Sequence, residues 1–204
     1  LDTMLEKFPS RLRLEVSHQA LQANLQAIRQ KIGHTIGQKI GQKSNRQMTK
    51  TFIMAVIKAN AYGLGHQNIA QVLNSAGVDR FGVAEPREAH QITQGFLSSE
   101  PQHSGIPPIQ ILGSLFDDEM ESCIEAGWVC PLESWYQASK LSQMATRLKK
   151  KVKAHIKIDT GMGRLGFWYQ EAKEYLPKLF ALEGIEIEGI YSHFSNANAP
   201  EHPH

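Results

Sequence analysis

Strand-like and helix-like stretches alternate along this sequence about once every thirty residues, the pattern of parallel βα units. From Lys58 to His193 the pattern gives six strands. Around them fall helices over 68–76, 86–94, 117–126, 133–149 and 170–182. Gly77 and Gly127 end two of these helices, and Pro86 suits the first position of a third. A (β/α)8 barrel needs eight strands and typically about 250 residues, whereas a doubly wound sheet closes with six. Alternation alone does not choose between them. Upstream, Arg11–Val16 alternates like an edge strand, and Ser17 fits the N-cap of a helix with an apolar stripe at Leu21, Leu25 and Ile28. Residues 33–50 are polar, basic and dotted with glycine, and are expected to form a flexible loop.

At 204 residues the chain has room for one sizeable core and not for two large domains. Its formal charge of +2 is mixed along the sequence, and the one basic run, 147–151, falls at a helix end that suits cations. No basic stripe with interleaved aromatics calls for nucleic acid, and no apolar segment nears the ~18 residues of a membrane span. Two cysteines, Cys123 and Cys130, fit a reducing cytoplasm better than a disulfide framework. No histidine or cysteine cluster has metal-ligand spacing, so no metal is expected. The chain starts at Leu1 and stops just after a strand, and is expected to be part of a longer protein.

Two stretches carry chemistry. In the first, TFIMAVIKANAYGLGH over 51–66, an apolar strand ends at a lysine. Period-2 counting places Phe52, Met54, Val56 and Lys58 on one face. An amine at the end of an apolar row is costly to keep charged, and desolvation lowers its pKa towards a nucleophile. The plain reading is a lysine that snorkels to the rim of its strand. The second stretch is KAHIKIDTGMGRLGF over 153–167. Here His155, Lys157 and Asp159 share one strand face, Ala154, Ile156 and Ile158 the other. Gly161, Gly163 and Gly166 also satisfy G-x-G-x-x-G, with Glu183 and Glu186 about twenty residues on, so a dinucleotide-binding dehydrogenase is a second reading. Such fingerprints usually open the first βα unit, and this one follows four others.

AVIKANAYGLG and HIKIDTGMGRLGF resemble, in order, the two motifs of alanine racemases, and GIYSHF over 189–194 resembles a third. The resemblance implies a TIM-type (β/α)8 barrel that binds pyridoxal 5'-phosphate, incomplete here at about six of eight strands and without the family's C-terminal β domain. Residues 1–204 are then the N-terminal barrel portion. Lys58 would carry the cofactor and act as one catalytic base, and Tyr62 would help hold its phosphate. Arg164 would sit by the cofactor's phenolic oxygen and the substrate carboxylate, which its two-pronged guanidinium suits. Lys157 matches a lysine that is carbamylated in many members, and His193 one that packs on the cofactor ring. The plain reading of Arg164 is a surface ion pair, of Lys157 a solvated strand end, and of His193 a satisfied structural histidine.

The implied reaction is the interconversion of L-alanine and D-alanine, supplying D-alanine for peptidoglycan, by a cytoplasmic homodimer. In the family the opposing tyrosine comes from the partner subunit's C-terminal domain, so the 204-residue chain alone is expected to be inactive. Two departures stand out: residues 33–50 are longer than the family's loop, and Asn198 stands where aspartate is usual. A stand-alone barrel of the pyridoxal-phosphate homeostasis type and a racemase of broader amino-acid range are the other readings.

Overall fold

The computed structural model describes residues 14–40, 51–98 and 105–199. Helix α1, His18–Ile40, begins at Ser17, whose Oγ accepts the Ala20 N–H at 3.2 Å. Leu21 and Leu25 face the core, while Ile28 is exposed. The helix continues through Ile40, so the loop expected over 33–50 does not start at Gly33. A helical glycine costs only about 1 kcal/mol against alanine, and the helix carries both Gly33 and Gly37 at that cost. Residues 41–50 lie outside the described residues. Of the strand expected over Arg11–Val16, the described part, 14–16, is not a strand, and 11–13 lie outside the described residues.

The strands and helices that follow are β1 (Met54–Val56), α2 (His66–Ser75), β2 (Arg80–Val83), α3 (Pro86–Leu97), β3 (Ile109–Ile111), α4 (Met120–Ala126), β4 (Cys130–Leu132), α5 (Trp135–Arg147), β5 (Val152–Asp159), β6 (Phe167–Trp168), α6 (Ala172–Phe180) and β7 (Ile185–Tyr191). Every strand pairing is parallel. β1, β2 and β3 lie side by side, a bridge from Gln110 to Val129 leads to β4, and β4, β5 and β7 follow. The strand order thus advances with the sequence and never reverses. A doubly wound sheet must reverse, so the order decides for the barrel that alternation left open. The two-residue β6 is an addition, laid along the C-terminal end of β5.

The alternation along each strand separates two environments. Phe81, Val83, Ile109, Ile111, Cys130, Leu132, Val152, Ala154 and Ile156 turn to the helices, each no more than 3% exposed. The other face looks into the lumen and is polar at both ends. Towards the strand N-termini, Arg80 spans three strands: its Nη1 lies 3.2 Å from Gln110 Oε1 and 3.0 Å from His155 Nε2, and its Nη2 donates to Glu188 Oε2 at 3.0 Å. Lys153 Nζ completes this plug, 2.7 Å from Glu188 Oε1. At the other end, where a barrel carries its chemistry, lie Lys58, Lys157 and Asp159.

Candidate active site

One residue, Ile57, separates Lys58 from the end of β1; Lys58 is half-buried, and the four residues after it wind the wrong way. Ala59, Asn60, Ala61 and Tyr62 have φ between 51° and 55°, a left-handed turn that costs an L-residue about 1–2 kcal/mol each. Several bonds hold the turn. Ala61 N–H donates to Ile57 O and Gly63 N–H to Ala59 O, both at 2.9 Å. Asn60 Oδ1 accepts the His66 N–H at 2.9 Å, which joins the turn to the start of α2. From α3, Glu88 reaches across: one carboxylate oxygen accepts the Ala59 N–H and the other the Ala84 N–H, tying the turn to the end of β2. The sequence identified a turn here but not its hand, and it carried no sign of Glu88. An acid in a helix's first turn ordinarily reads as a complement to the macrodipole.

The glycine loop is organised by Asp159. Its Oδ1 accepts the N–H groups of Gly161 at 2.9 Å and Gly163 at 3.1 Å, and its Oδ2 that of Arg164 at 3.0 Å. The Gly161 and Gly163 amides hold the carboxyl below its ordinary pKa. The loop then returns to β5, with Ile158 paired to Phe167. Gly166, at φ 117°, passes so close that a Cβ there would sit 2.8 Å from Lys157 O. These amides are occupied by a side chain, and a strand rather than a helix follows the glycines. The dinucleotide fingerprint therefore lacks the helix N-terminus it requires.

Lys157 is buried, with its Nζ 5.5 Å from the centroid of the Tyr191 ring. Burial, and then the nearby Arg164 charge, push its pKa below the ordinary lysine value, with Lys58 adding to that push. Lys157, Asp159, Met162, Arg164 and His193 line one shallow hollow. Thr160 Oγ1 and Ser192 Oγ, 2.6 Å apart, bind the loop to the end of β7 and so to His193. Lys157, Arg164 and His193 are thus brought together, and Lys58 lies within electrostatic reach of Lys157. Tyr62 stands out from the left-handed turn, 64% exposed. The mouth is a cluster of amine, guanidinium and imidazole groups, suited to an anionic ligand with a reactive carbonyl.

The family described as alanine racemase, N-terminal domain, matches residues 16–204. Alanine racemase of Citrifermentans bemidjiense is 39% identical over 148 residues, which is 72% of this chain and 37% of that protein. Alanine racemase of Geobacter sulfurreducens is 40% identical over 147 residues, 72% of this chain and 36% of the relative. The chain thus spans little more than a third of the length of these relatives. Among solved structures, alanine racemase from Bartonella henselae with covalently bound pyridoxal phosphate is 30% identical, with a TM-score of 0.66 over 89% of this chain and 46% of its own. The enzyme from a D-cycloserine-producing Streptomyces lavendulae, 23% identical, matches the fold with a TM-score of 0.77 over 96% of this chain and 46% of that one.

Proposed function

The chain belongs to the alanine racemase family, and from that premise we propose that its whole protein interconverts L-alanine and D-alanine with pyridoxal 5'-phosphate. The observation that carries the reading is the mouth itself, where Lys157, Arg164 and His193 line one hollow and the charge of Lys58, just past β1, acts on Lys157. The donor set fits the coenzyme: an amine for its aldehyde, an imidazole for its ring, a phenol for its phosphate and a guanidinium for a substrate carboxylate. When bound, the coenzyme supplies an electron sink that makes the α-proton of an amino acid acidic.

Lys58 would hold the coenzyme through Nζ and, once the substrate amine has displaced it, that nitrogen would exchange a proton with the α-carbon on the D-alanine face. The left-handed turn fixes where that amine leaves the strand. Arg164, on the loop braced by Asp159, would bind the substrate carboxylate in a two-pronged grip and sit by the phenolic oxygen. His193 would pack on the coenzyme ring, and Tyr62 would help hold its phosphate. Lys157 stands under Arg164. By the family resemblance, the group for the other face of the substrate comes from the family's C-terminal domain.

The family resemblance also supports a homodimer that provides D-alanine for peptidoglycan. Two buried free thiols, Cys123 and Cys130, support a reducing cytoplasm. Among the described residues, no helix is long and apolar enough to cross a membrane. The test is chemical. Borohydride reduction with the coenzyme, followed by peptide mapping, leaves the label on Lys58. A label on Lys157 sinks the assignment.

A further inference from the structure

Lys58 is tied to β2 on both sides. Before it, the Ile57 N–H donates to Gly82 O at 2.9 Å and continues the β1–β2 ladder. After it, the Ala59 N–H donates to one oxygen of Glu88, and the other oxygen accepts the Ala84 N–H at 2.8 Å, just past the end of β2. Glu88 is the third residue of α3, and a glutamate there commonly reaches back to cap its own helix. The bond to Ala84 is a cap of that kind, and it needs one oxygen. The bond to Ala59 spans 29 residues of sequence and adds nothing to α3.

The turn that this second oxygen grips is left-handed from Ala59 to Tyr62. L-residues resist such a coil, and a strained backbone persists only where its surroundings over-determine it. Within the turn, the Ala61 N–H bonds to Ile57 O, that of Gly63 to Ala59 O and that of Gly65 to Asn60 O. Asn60 Oδ1 ties the far end to α2 through the His66 N–H. The near end, beside Lys58, is tied to another element by Glu88.

We propose that Glu88 is a positioning residue for Lys58: the oxygen its own helix does not use holds the peptide after Lys58, and so sets where the amine points. The inference rests on the reading of Lys58 as the residue that takes the coenzyme. It adds a second residue, on another βα unit, that acts through the backbone and not on the reacting atoms. A nucleophile must sit close to its target and in line with it, so a turn that unwinds slows attack even when the amine is intact.

The experiment compares the wild-type protein, Glu88→Ala, and Glu88→Ala combined with Ala59→Gly. One readout needs no coenzyme: amide exchange at Ala61 and Gly63, whose bonds exist only while the turn is wound. The other is the rate at which borohydride traps pyridoxal 5'-phosphate on Lys58, followed by peptide mapping. In Glu88→Ala, exchange should quicken and trapping slow by about tenfold, the factor that one hydrogen bond to a charged group is worth. Glycine takes a positive φ freely, and Ala59 is exposed, so Ala59→Gly should restore most of both. A cap lost from α3 does not respond to a glycine at position 59, so the rescue separates positioning from plain stability. Glu88→Leu fills the space and offers no acceptor; it should behave as Glu88→Ala, and it replaces that variant if the alanine protein fails to fold. Equal trapping rates in the wild type and the Glu88 variants overturn the proposal. So does a loss that Ala59→Gly leaves unrepaired. A wild type that takes no coenzyme at Lys58 sinks the racemase reading instead, and the exchange readout then still decides whether Glu88 holds the turn.

Discussion

Asp159 shows how much one carboxylate organises. Three backbone N–H groups converge on it, those of Gly161, Gly163 and Arg164, and they favour its charged form. Its folded pKa therefore lies below the ordinary aspartate value of about 3.9. A depressed carboxylate stabilises the fold fully above that ordinary value and loses its contribution as pH falls through the lower, folded one. The loop should accordingly loosen in acid before the barrel does. Amide exchange at Gly161 and Gly163 should accelerate, relative to the buried amide of Ile156, as pH drops below about 4. In Asp159→Asn those amides should exchange fast at every pH. Unchanged protection in that variant would remove Asp159 as the loop's anchor. The role of Asp159 is invisible in the string DTGMGRLG, because a side chain that caps its own following loop leaves no periodic mark. The strand face that carries it was legible: period 2 alone set His155, Lys157 and Asp159 apart from Ala154 and Ile156.

Among the elements, the connections decide more than the strands. β6 and the loop before it press against β5 where Gly166, at φ 117°, has no room for a Cβ beside Lys157 O. Gly166→Ala should cost about 1–3 kcal/mol, through an unfavourable backbone angle and the clash together. At roughly 2–4 °C per kcal/mol for a chain of this size, a thermal melt resolves that loss. A melting point within 1 °C of wild type, by the same scaling, contradicts the close packing. Element positions were mostly legible from periodicity and from Pro86, Gly77 and Gly127. The length of α1 was not, because Gly33 and Gly37 look like breakers and a helix tolerates them. The order of the strands was not legible either. It depends on contacts between distant segments, such as the bridge from Gln110 to Val129, and hydrophobic alternation within a segment holds no record of them.

Over the whole molecule the lumen works as two polar layers with different tasks. The layer at the strand N-termini is a structural plug in which Glu188 answers both Arg80 and Lys153. Burial raises the Glu188 pKa, and the bonds from Lys153 and Arg80 outweigh it, so the net shift is downwards. Glu188→Ala would leave two cations facing each other across β2, β5 and β7. The expected loss is about 1–3 kcal/mol in urea denaturation, shrinking in 1 M salt as the repulsion is screened. Coenzyme labelling at Lys58, at the far end, should be unaffected. If labelling fell in step with stability, the two layers would not be separate.

The turn after Lys58 also has a stereochemical consequence. A right-handed coil suits L-residues, and its mirror image suits their enantiomers. Ala59 sits exposed in that mirror coil. A semisynthetic chain carrying D-alanine at position 59 should therefore be the more stable of the two, by about 1 kcal/mol. In a protein proposed to make D-alanine, the backbone beside Lys58 is better matched to the product's chirality than to that of the ribosome's own building blocks.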